Sequence, residues 1–107
     1  MGEPIEITDE SFEREILNGE LPAMVDFGAA WCPPCRAIEP IIKELVDDYD
    51  GKVKIAEVEV DSNREVAGKF GIMSVPTLIF FKGGREVDRL IGLRPKDVIK
   101  GRLDALL

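Results

Sequence analysis

Apolar residues recur along this chain at two spacings, which predict strands and helices in turn. Alternating or continuous apolar runs, typical of strands, cover residues 4–8, 23–29, 53–61, 77–82 and 86–91. Apolar residues three or four apart, typical of helices, cover residues 10–18, 34–48, 62–70 and a last stretch that begins at Pro95. This order predicts one α/β domain over residues 1–107, with a central mixed five-stranded sheet and helices on both faces.

Individual residues add detail to the predicted helices, namely their caps, a kink and a buried face. Thr8 or Asp9 is expected to cap the first helix, and Ser62 with Glu65 fits a capping box at the start of the third. Pro40 falls inside the second helix, where its missing N–H and its ring should produce a kink. The last helix is expected to turn four apolar side chains toward the core, namely Val98, Ile99, Leu103 and Leu106.

The charge balance narrows the classes of partner. The 107 residues include 14 Lys and Arg against 21 Asp and Glu, which gives a formal net charge of −7 at pH 7. An acidic surface of this kind disfavours binding to nucleic acid and to anionic membranes. The sequence contains no histidine, so imidazole is excluded as a metal ligand, catalytic base or pH switch.

No targeting or membrane-spanning segment is visible. The first residues lack the basic and apolar regions of a signal peptide, and no apolar run approaches the roughly 20 residues of a membrane span. We therefore expect a cytoplasmic protein, and we expect it to be a monomer. In a reducing cytosol, two cysteines separated by two residues are more often catalytic or metal-binding than structural.

Both cysteines lie in one short motif, Trp31-Cys32-Pro33-Pro34-Cys35, between an apolar strand and the second helix. A helix N-terminus offers unpaired N–H groups and partial positive charge, which stabilise the reactive thiolate. Cys32 gains most from this field, whereas Cys35 lies one turn further on and is expected to be more buried. The alternative is a structural or zinc-binding pair. Zinc takes about four ligands, and the absence of histidine and of further cysteines favours redox chemistry.

Other residues near the motif carry candidate functions. Asp26 lies in the apolar strand, and a buried acid costs free energy unless it is neutral or paired. We therefore interpret it as a proton-transfer group rather than as an ordinary strand-end residue. Trp31 is expected to form a partly exposed wall of the site rather than to pack in the core. Apolar loop residues are expected to form a docking surface for flexible chains, namely Gly71, Ile72, Met73, Val75, Gly92 and Leu93.

This set of motifs resembles the thioredoxin family over nearly the full length of the chain. A Cys-x-x-Cys pair alone is a weak signal, but further segments match at the family's spacings. They are Val25-Asp26-Phe27, Ala30-Trp31-Cys32 through Cys35, Pro40, Asp61, Gly71-Ile72, Val75-Pro76-Thr77, Gly83-Gly84 and Gly92. The resemblance implies a thioredoxin fold, with residues 1–107 as a single thioredoxin domain, and protein-disulfide reductase activity.

The resemblance also implies roles for single residues. Cys32 would attack substrate disulfides, Cys35 would resolve the mixed disulfide, and Asp26 would be a buried proton carrier. Pro76 would be a cis proline that faces the disulfide. The Cys32–Cys35 disulfide would be the redox centre, with no separate cofactor and no metal. The implied partners are disulfide-containing proteins and, as electron donor, a thioredoxin reductase or a similar protein. The expected substrate-binding residues are Trp31, Pro33, Pro34, Met73, Val75, Pro76 and Gly92.

The chain departs from the usual family pattern at three positions. Gly28 stands where the family usually has an aromatic residue, Pro33 where it usually has glycine, and Glu57 where it often has lysine. The family pattern places position 57 beside position 26. Glu57 is therefore expected to act together with burial to raise the pKa of Asp26, because a neighbouring like charge disfavours ionisation.

Two other functions remain open at this point. One is a disulfide oxidase or isomerase of the same fold. Such proteins often carry histidine between the cysteines, whereas Pro33 and Pro34 supply neither charge nor N–H, which favours a reductant. The other is a non-catalytic binding subunit, which the intact cysteine pair disfavours together with Asp26 and Pro76.

Overall fold

One mixed sheet runs through the molecule. The computed structural model describes residues 2–107, and within them five strands pair in the order β1-β3-β2-β4-β5. The strands are β1 (Ile5–Glu6), β2 (Ala23–Gly28), β3 (Lys54–Glu59), β4 (Thr77–Lys82) and β5 (Arg85–Ile91). Strands β1, β3 and β2 are parallel, and β4 and β5 continue the sheet in antiparallel pairs. The predicted mixed five-stranded sheet is therefore confirmed.

Helices pack on both faces of this sheet. Within the described residues they are the π-helical segment Glu13–Leu17, α1 (Pro33–Asp48), α2 (Arg64–Lys69) and α3 (Lys96–Asp104). Side chains of α1 and α3 form one buried cluster with Met24, and side chains of α2 and the π-helical segment form another with Val25. Because successive residues of a strand point to opposite faces, the two clusters lie on opposite sides of β2.

Strand β2 is the centre of the sheet, and its alternation places Asp26. The side chains of Met24 and Asp26 point to the face that carries α1, because they are two residues apart. In the parallel pair with β3, Asp26 lies opposite Glu57, and in the antiparallel pair with β4 it lies opposite Leu78. Asp26 thus lies beneath α1 with one acid and one leucine as its neighbours in the sheet.

The start of α2 corrects the predicted capping box. Its N-cap residue is Asn63, whereas Ser62 donates from its hydroxyl to Glu59 Oε1 at 3.3 Å. The cap comes instead from Asp9, whose Oδ1 accepts a hydrogen bond from the Val66 N–H at 2.8 Å. The N–H of Asp9 donates in return to Asn63 Oδ1 at 3.0 Å. The N-terminal segment therefore satisfies a donor in the first turn of a distant helix.

The first predicted helix is shorter than expected and is wound differently. Its regular part is the π-helical segment Glu13–Leu17, closed by a hydrogen bond from the Asn18 N–H to Glu13 O at 2.9 Å. Thr8 caps the preceding turn, since its Oγ1 accepts from the Ser11 N–H at 3.3 Å. Asp9, the other predicted cap, is bonded to α2 and so does not serve this segment.

The last helix corrects one core prediction. Ile99 and Leu103, four residues apart on α3, are fully buried, so their side chains define its inner face. Val98 falls outside that face and is 39% exposed, so its predicted burial is wrong. Pro40 lies within α1 as expected, and the kink predicted there stays a prediction.

Candidate active site

The two cysteines form a disulfide at the start of α1, with their Cα atoms 5.2 Å apart. Cys32 is the N-cap residue, and its N–H donates to Ala29 O at 3.2 Å in the turn that follows β2. Pro33 and Pro34 have no N–H, so the first amide of the helix able to donate is that of Cys35. This amide donates to Cys32 Sγ at 3.2 Å. The donor and the positive end of the helix dipole stabilise a thiolate on Cys32 when the disulfide opens.

The two sulfur-bearing residues line different cavities. Cys32 lines a cavity of about 440 Å³, and Cys35 lines another of about 210 Å³. Both cysteines are buried, with Cys35 6% and Cys32 3% exposed, so the expected greater burial of Cys35 is not observed. Gly28 on β2 lies next to Cys35 and has no side chain to fill the space beside it. A Cβ atom at position 28 would lie 3.5 Å from Cys35 Sγ.

The larger cavity, which we call the apolar groove, combines most of the predicted substrate-binding residues. Its lining is Trp31, Cys32, Pro33, Pro34, Val60, Ile72, Met73, Ser74 and Val75. Met73 is 96% exposed and Trp31 is 65% exposed, which is unusual for large apolar side chains. An exposed apolar surface next to a reactive group is typical of a site that docks another protein.

Trp31 is held at the edge of the apolar groove by a hydrogen bond. Its indole Nε1–H donates to Asp61 Oδ2 at 2.7 Å. Asp61 is itself positioned by its N–H, which donates to Glu59 Oε2 at 3.0 Å. An exposed aromatic ring fixed in this way presents its apolar surface with little conformational entropy left to lose on binding.

The loop before β4 lines the apolar groove together with Trp31, and its backbone lies close to the disulfide. The Val75–Pro76 peptide bond is cis, as predicted, and Val75 O lies 3.7 Å from Cys32 Sγ. Pro76 is buried, and its carbonyl accepts a hydrogen bond from the Gly92 N–H at 2.8 Å. Gly92 has a φ of +92°, which residues with a side chain rarely adopt. Pro76 and Gly92 thus fix the loop from outside the groove lining, and their contact with substrate stays a prediction.

The smaller cavity, which we call the acidic cleft, reaches from the surface to Asp26. Its lining is Glu6, Asp26, Gly28, Ala29, Ala30, Cys35, Glu39, Glu57, Val58 and Glu59. Asp26 is 5% exposed, and its Oδ1 has no hydrogen-bond partner among the described residues. The position of a Cβ atom above Gly28 lies 3.5 Å from Cys35 Sγ and 3.8 Å from Asp26 Oδ1. The thiol position and the buried carboxyl group therefore face the same small space.

The electrostatics of the acidic cleft favour bound protons. Burial raises the pKa of Asp26 to about 7, and the charges of Glu57 and Glu39 act in the same direction. The pKa of Glu57 is also raised, first by its own burial and then by neighbouring acids, while Lys43 opposes the shift. Asp26 can therefore change its protonation state near neutral pH, which a proton carrier requires.

Similarity to known proteins agrees with this geometry. A family model described as thioredoxin matches residues 3–105. A protein named thioredoxin 2 from Chlorobaculum tepidum is 48% identical over 103 residues, which cover 96% of this chain and 94% of the relative. Thioredoxin 1 from a Nostoc species is 41% identical over 104 residues, and thioredoxin from Alicyclobacillus acidocaldarius is 46% identical over 101. These alignments cover 97% and 94% of this chain, and 97% and 95% of the relatives. The chain belongs to the thioredoxin family.

Thioredoxins are protein-disulfide oxidoreductases, and this member has the fold and the cysteine pair of the family. Its activity is the reduction of protein disulfides by dithiol–disulfide exchange through Cys32 and Cys35. Thioredoxins use this disulfide rather than a separate cofactor. Within residues 2–107, no group of three or more His, Cys, Asp or Glu side chains is placed to hold a metal ion.

Sequence reasoning missed three acids that line the acidic cleft of this thioredoxin, namely Glu6, Glu39 and Glu59. Glu39 lies on α1 four residues after Cys35, a spacing that puts both side chains on one face of the helix. This spacing was available as a signal. Glu6 reaches the acidic cleft through the pairing of β1 with β3, where it lies opposite Glu57. No local pattern predicts that pairing, because it depends on the order of strands in the sheet.

Proposed function

We propose that Cys32 is the attacking thiol and Cys35 the resolving thiol of this thioredoxin. The Cys32 thiolate bonds to one sulfur of a substrate disulfide, and the other substrate sulfur leaves as a thiolate. Cys35, once deprotonated, bonds to Cys32 Sγ and displaces the second substrate thiolate. Two electrons pass to the substrate, and the protein is left with the Cys32–Cys35 disulfide.

One observation carries this assignment. Cys32 is the N-cap residue of α1, its sulfur accepts the Cys35 N–H, and it lines the apolar groove. Cys35 lines the acidic cleft instead, next to Asp26. A protein substrate that docks in the groove therefore meets Cys32 first, and the cysteine nearest the carboxyl group is the one that must lose a proton.

The apolar groove is proposed to bind an extended segment of the substrate. Trp31 and Met73 offer exposed apolar surface, and Pro33 and Pro34 extend it along the start of α1. Val75 O lies 3.7 Å from Cys32 Sγ, so a chain attached to that sulfur passes beside the Val75 backbone. Main-chain pairing there would hold the substrate without demanding a particular sequence.

Asp26 is proposed to accept the proton of Cys35 in the resolving step. Support comes from its unpartnered Oδ1, its place beside Cys35, and its pKa of about 7. Transfer directly or through one water molecule leaves a Cys35 thiolate and a neutral carboxyl group. When the disulfide is reduced again, the protonated form of the same carboxyl group donates a proton to Cys35.

The wider assignments of this thioredoxin are part of the same proposal. We propose disulfide-containing proteins as substrates, a thioredoxin reductase or a similar donor as electron source, and a cytoplasmic, monomeric protein with one domain. The net charge of −7 supports the absence of nucleic-acid and anionic-membrane partners. Within residues 2–107, no helix is long and apolar enough to cross a membrane.

Two measurements test the proposal. Insulin reduction with a dithiol donor is expected to proceed at a rate set by the protein, and no acceleration would indicate a binding subunit. The equilibrium potential of the Cys32–Cys35 couple is expected near the roughly −270 mV of thioredoxin. A potential of about −120 to −180 mV would instead indicate an oxidase or isomerase.

A further inference from the structure

The acidic cleft exists because residue 28 has no side chain. The φ of Gly28 is not positive, so the backbone does not require glycine there. A Cβ atom would meet Cys35 and Asp26 only at ordinary contact distances of 3.5 to 3.8 Å. A larger side chain would continue from that point into the space between them. The absence of a side chain at position 28 therefore leaves the space between Cys35 and Asp26 open to the cleft.

Three carboxyl groups lead from the closed end of the cleft to the surface. Asp26 is 5% exposed, Glu57 is half-buried directly opposite it in the next strand, and Glu6 is exposed opposite Glu57 in the strand beyond. Parallel pairing places these three side chains side by side on one face of the sheet. Glu39 adds an exposed carboxyl group from α1 above them.

We propose that Glu57 is a proton relay that connects Asp26 with solvent. The inference rests on the proposed role of Asp26 as proton acceptor for Cys35. In the resolving step the Cys35 proton moves to the Asp26 carboxylate, and Glu57 takes it from Asp26 and releases it to water at the mouth of the cleft. Removal of the proton leaves the Cys35 thiolate free to attack Cys32, which displaces the substrate thiolate. Asp26 is left ionised, Glu57 ends as it began, and no electrons move in the relay.

The surroundings of Glu57 suit this role. Neither Glu57 nor Glu39 forms an ion pair among the described residues, and Lys43 is paired with Glu3 at 3.5 Å. Glu59 is engaged by the Asp61 N–H and the Ser62 hydroxyl. The charged or titratable groups around Glu57 are Glu3, Glu6, Asp26, Cys35, Glu39, Lys43 and Glu59.

Acids outnumber cations in that set, so proton occupancy of the carboxyl groups is favoured. Burial and neighbouring acids raise the pKa of Glu57, as they raise that of Asp26, so both carboxyl groups bind a proton more readily than an exposed acid does. If Glu57 only raised the pKa of Asp26, it would act through its charge alone. A relay must also bind and release the proton, and this difference can be measured.

The test uses the neutral reagent 4,4′-dithiodipyridine with equimolar reduced protein in stopped flow. Release of the first thiopyridone reports attack by Cys32, and release of the second reports attack by Cys35. We expect Glu57→Gln to leave the first release unchanged and to slow the second about 10-fold at pH 7 in dilute buffer. Added imidazole, at constant pH and ionic strength, is expected to restore the second release. Glu57→Asp, which keeps an acid, is expected to retain most of the rate.

The matched control is Glu20→Gln, which removes the same charge from an exposed residue outside the cleft lining. It is expected to leave both releases unchanged and insensitive to imidazole. A Glu57→Gln protein that is not slowed, or that is slowed without any response to imidazole, overturns the relay. Asp26→Asn distinguishes a failure of the proposed proton acceptor, Asp26, from a failure of the proposed relay, Glu57. If Asp26→Asn leaves the rate of the second release unchanged, the proposed role of Asp26 is wrong. If Asp26→Asn slows the second release and Glu57→Gln does not, only the relay is wrong.

Discussion

The apolar groove and the acidic cleft meet at one disulfide, yet they differ in nearly every property that bears on it. The groove exposes Trp31 and Met73 and opens onto Cys32, whereas the cleft ends at buried Asp26 and opens onto Cys35. Apolar surface gains free energy when a partner covers it. A cleft lined by carboxyl groups favours water and protons instead. Dithiol–disulfide exchange can thus be divided between the apolar groove, which binds the substrate, and the acidic cleft, which accepts the proton.

The cysteines give the largest expected effect. Cys35→Ser and Cys32→Ser should each lower turnover by about 10³-fold or more, because either change removes one of the two sulfurs. Only Cys35→Ser should accumulate mixed disulfides with substrate, since it keeps the thiol that faces the groove. Non-reducing electrophoresis followed by mass mapping measures this. Equal trapping by both variants would mean that the groove and the cleft do not assign separate roles to the sulfurs.

Replacement of Asp26 tests the cleft through stability. The pKa of Asp26 is about 7 in the folded protein, against about 3.9 for an unfolded chain. Between these values the unfolded state binds fewer protons, so the stability of the native protein falls as pH rises from about 4 to 7. We expect Asp26→Asn to raise the free energy of unfolding by about 2 to 4 kcal/mol at pH 8 and to change it little at pH 4.

Urea unfolding at the two pH values measures this difference. Leu78→Val, at a buried position paired with Asp26 on β4, provides a control whose effect should not depend on pH. A stabilisation by Asp26→Asn that is equal at pH 4 and pH 8 would show that the cleft does not hold Asp26 protonated.

Trp31→Ala tests the groove alone. Loss of the exposed ring is expected to raise KM for a protein disulfide about 5- to 20-fold, a typical cost for the loss of an aromatic contact at an interface. The pH profile of the resolving step should stay the same, because Trp31 does not line the acidic cleft. Trp31→Phe keeps a ring but loses the hydrogen bond to Asp61, so a smaller rise in KM is expected. Steady-state kinetics over a pH series measures both effects, and a shifted profile for Trp31→Ala would contradict the separation.

Asp9→Ala gives the smallest expected effect and lies outside both cavities. It removes the acceptor of the Val66 N–H at the start of α2, so the free energy of unfolding should fall by about 1 kcal/mol. KM and the pH profile should not change. Glu10→Ala, at the exposed neighbouring residue, is the control for loss of one negative charge. Thermal or urea unfolding measures the effect, and equal stability of Asp9→Ala and the native protein would rule out the cap.

The features that depend on the pattern of residues within one strand, helix or motif were predictable from the sequence. The continuous apolar run around Asp26 places it in a buried strand, and the Cys-x-x-Cys motif between this strand and a helical pattern places both sulfurs at the start of a helix. The meeting of Asp26 with Glu57 came from the resemblance to thioredoxins, and the register of β2 with β3 confirms it. These features depend on interactions close in sequence or on a topology shared by the family.

The features that depend on distant contacts were not predictable in the same way. The sequence fits Asp9 equally well as a cap of its own helical segment. In the folded chain its carboxylate instead accepts a hydrogen bond from the Val66 N–H of α2. The open space between Cys35 and Asp26 depends on a missing side chain in another element, at Gly28. Glu39 is the exception, since its spacing from Cys35 on α1 was a local signal.

The exposure of Met73 has a consequence for the lifetime of the protein under oxidative stress. Its thioether is almost fully accessible to peroxides, which convert methionine to its sulfoxide. The product is polar and would place a sulfoxide oxygen among the apolar side chains that line the groove. Oxidative stress, which creates most disulfides for this protein to reduce, would then also weaken the binding of disulfide-containing substrates in the groove. Repair by methionine sulfoxide reductases would restore the surface without new protein synthesis.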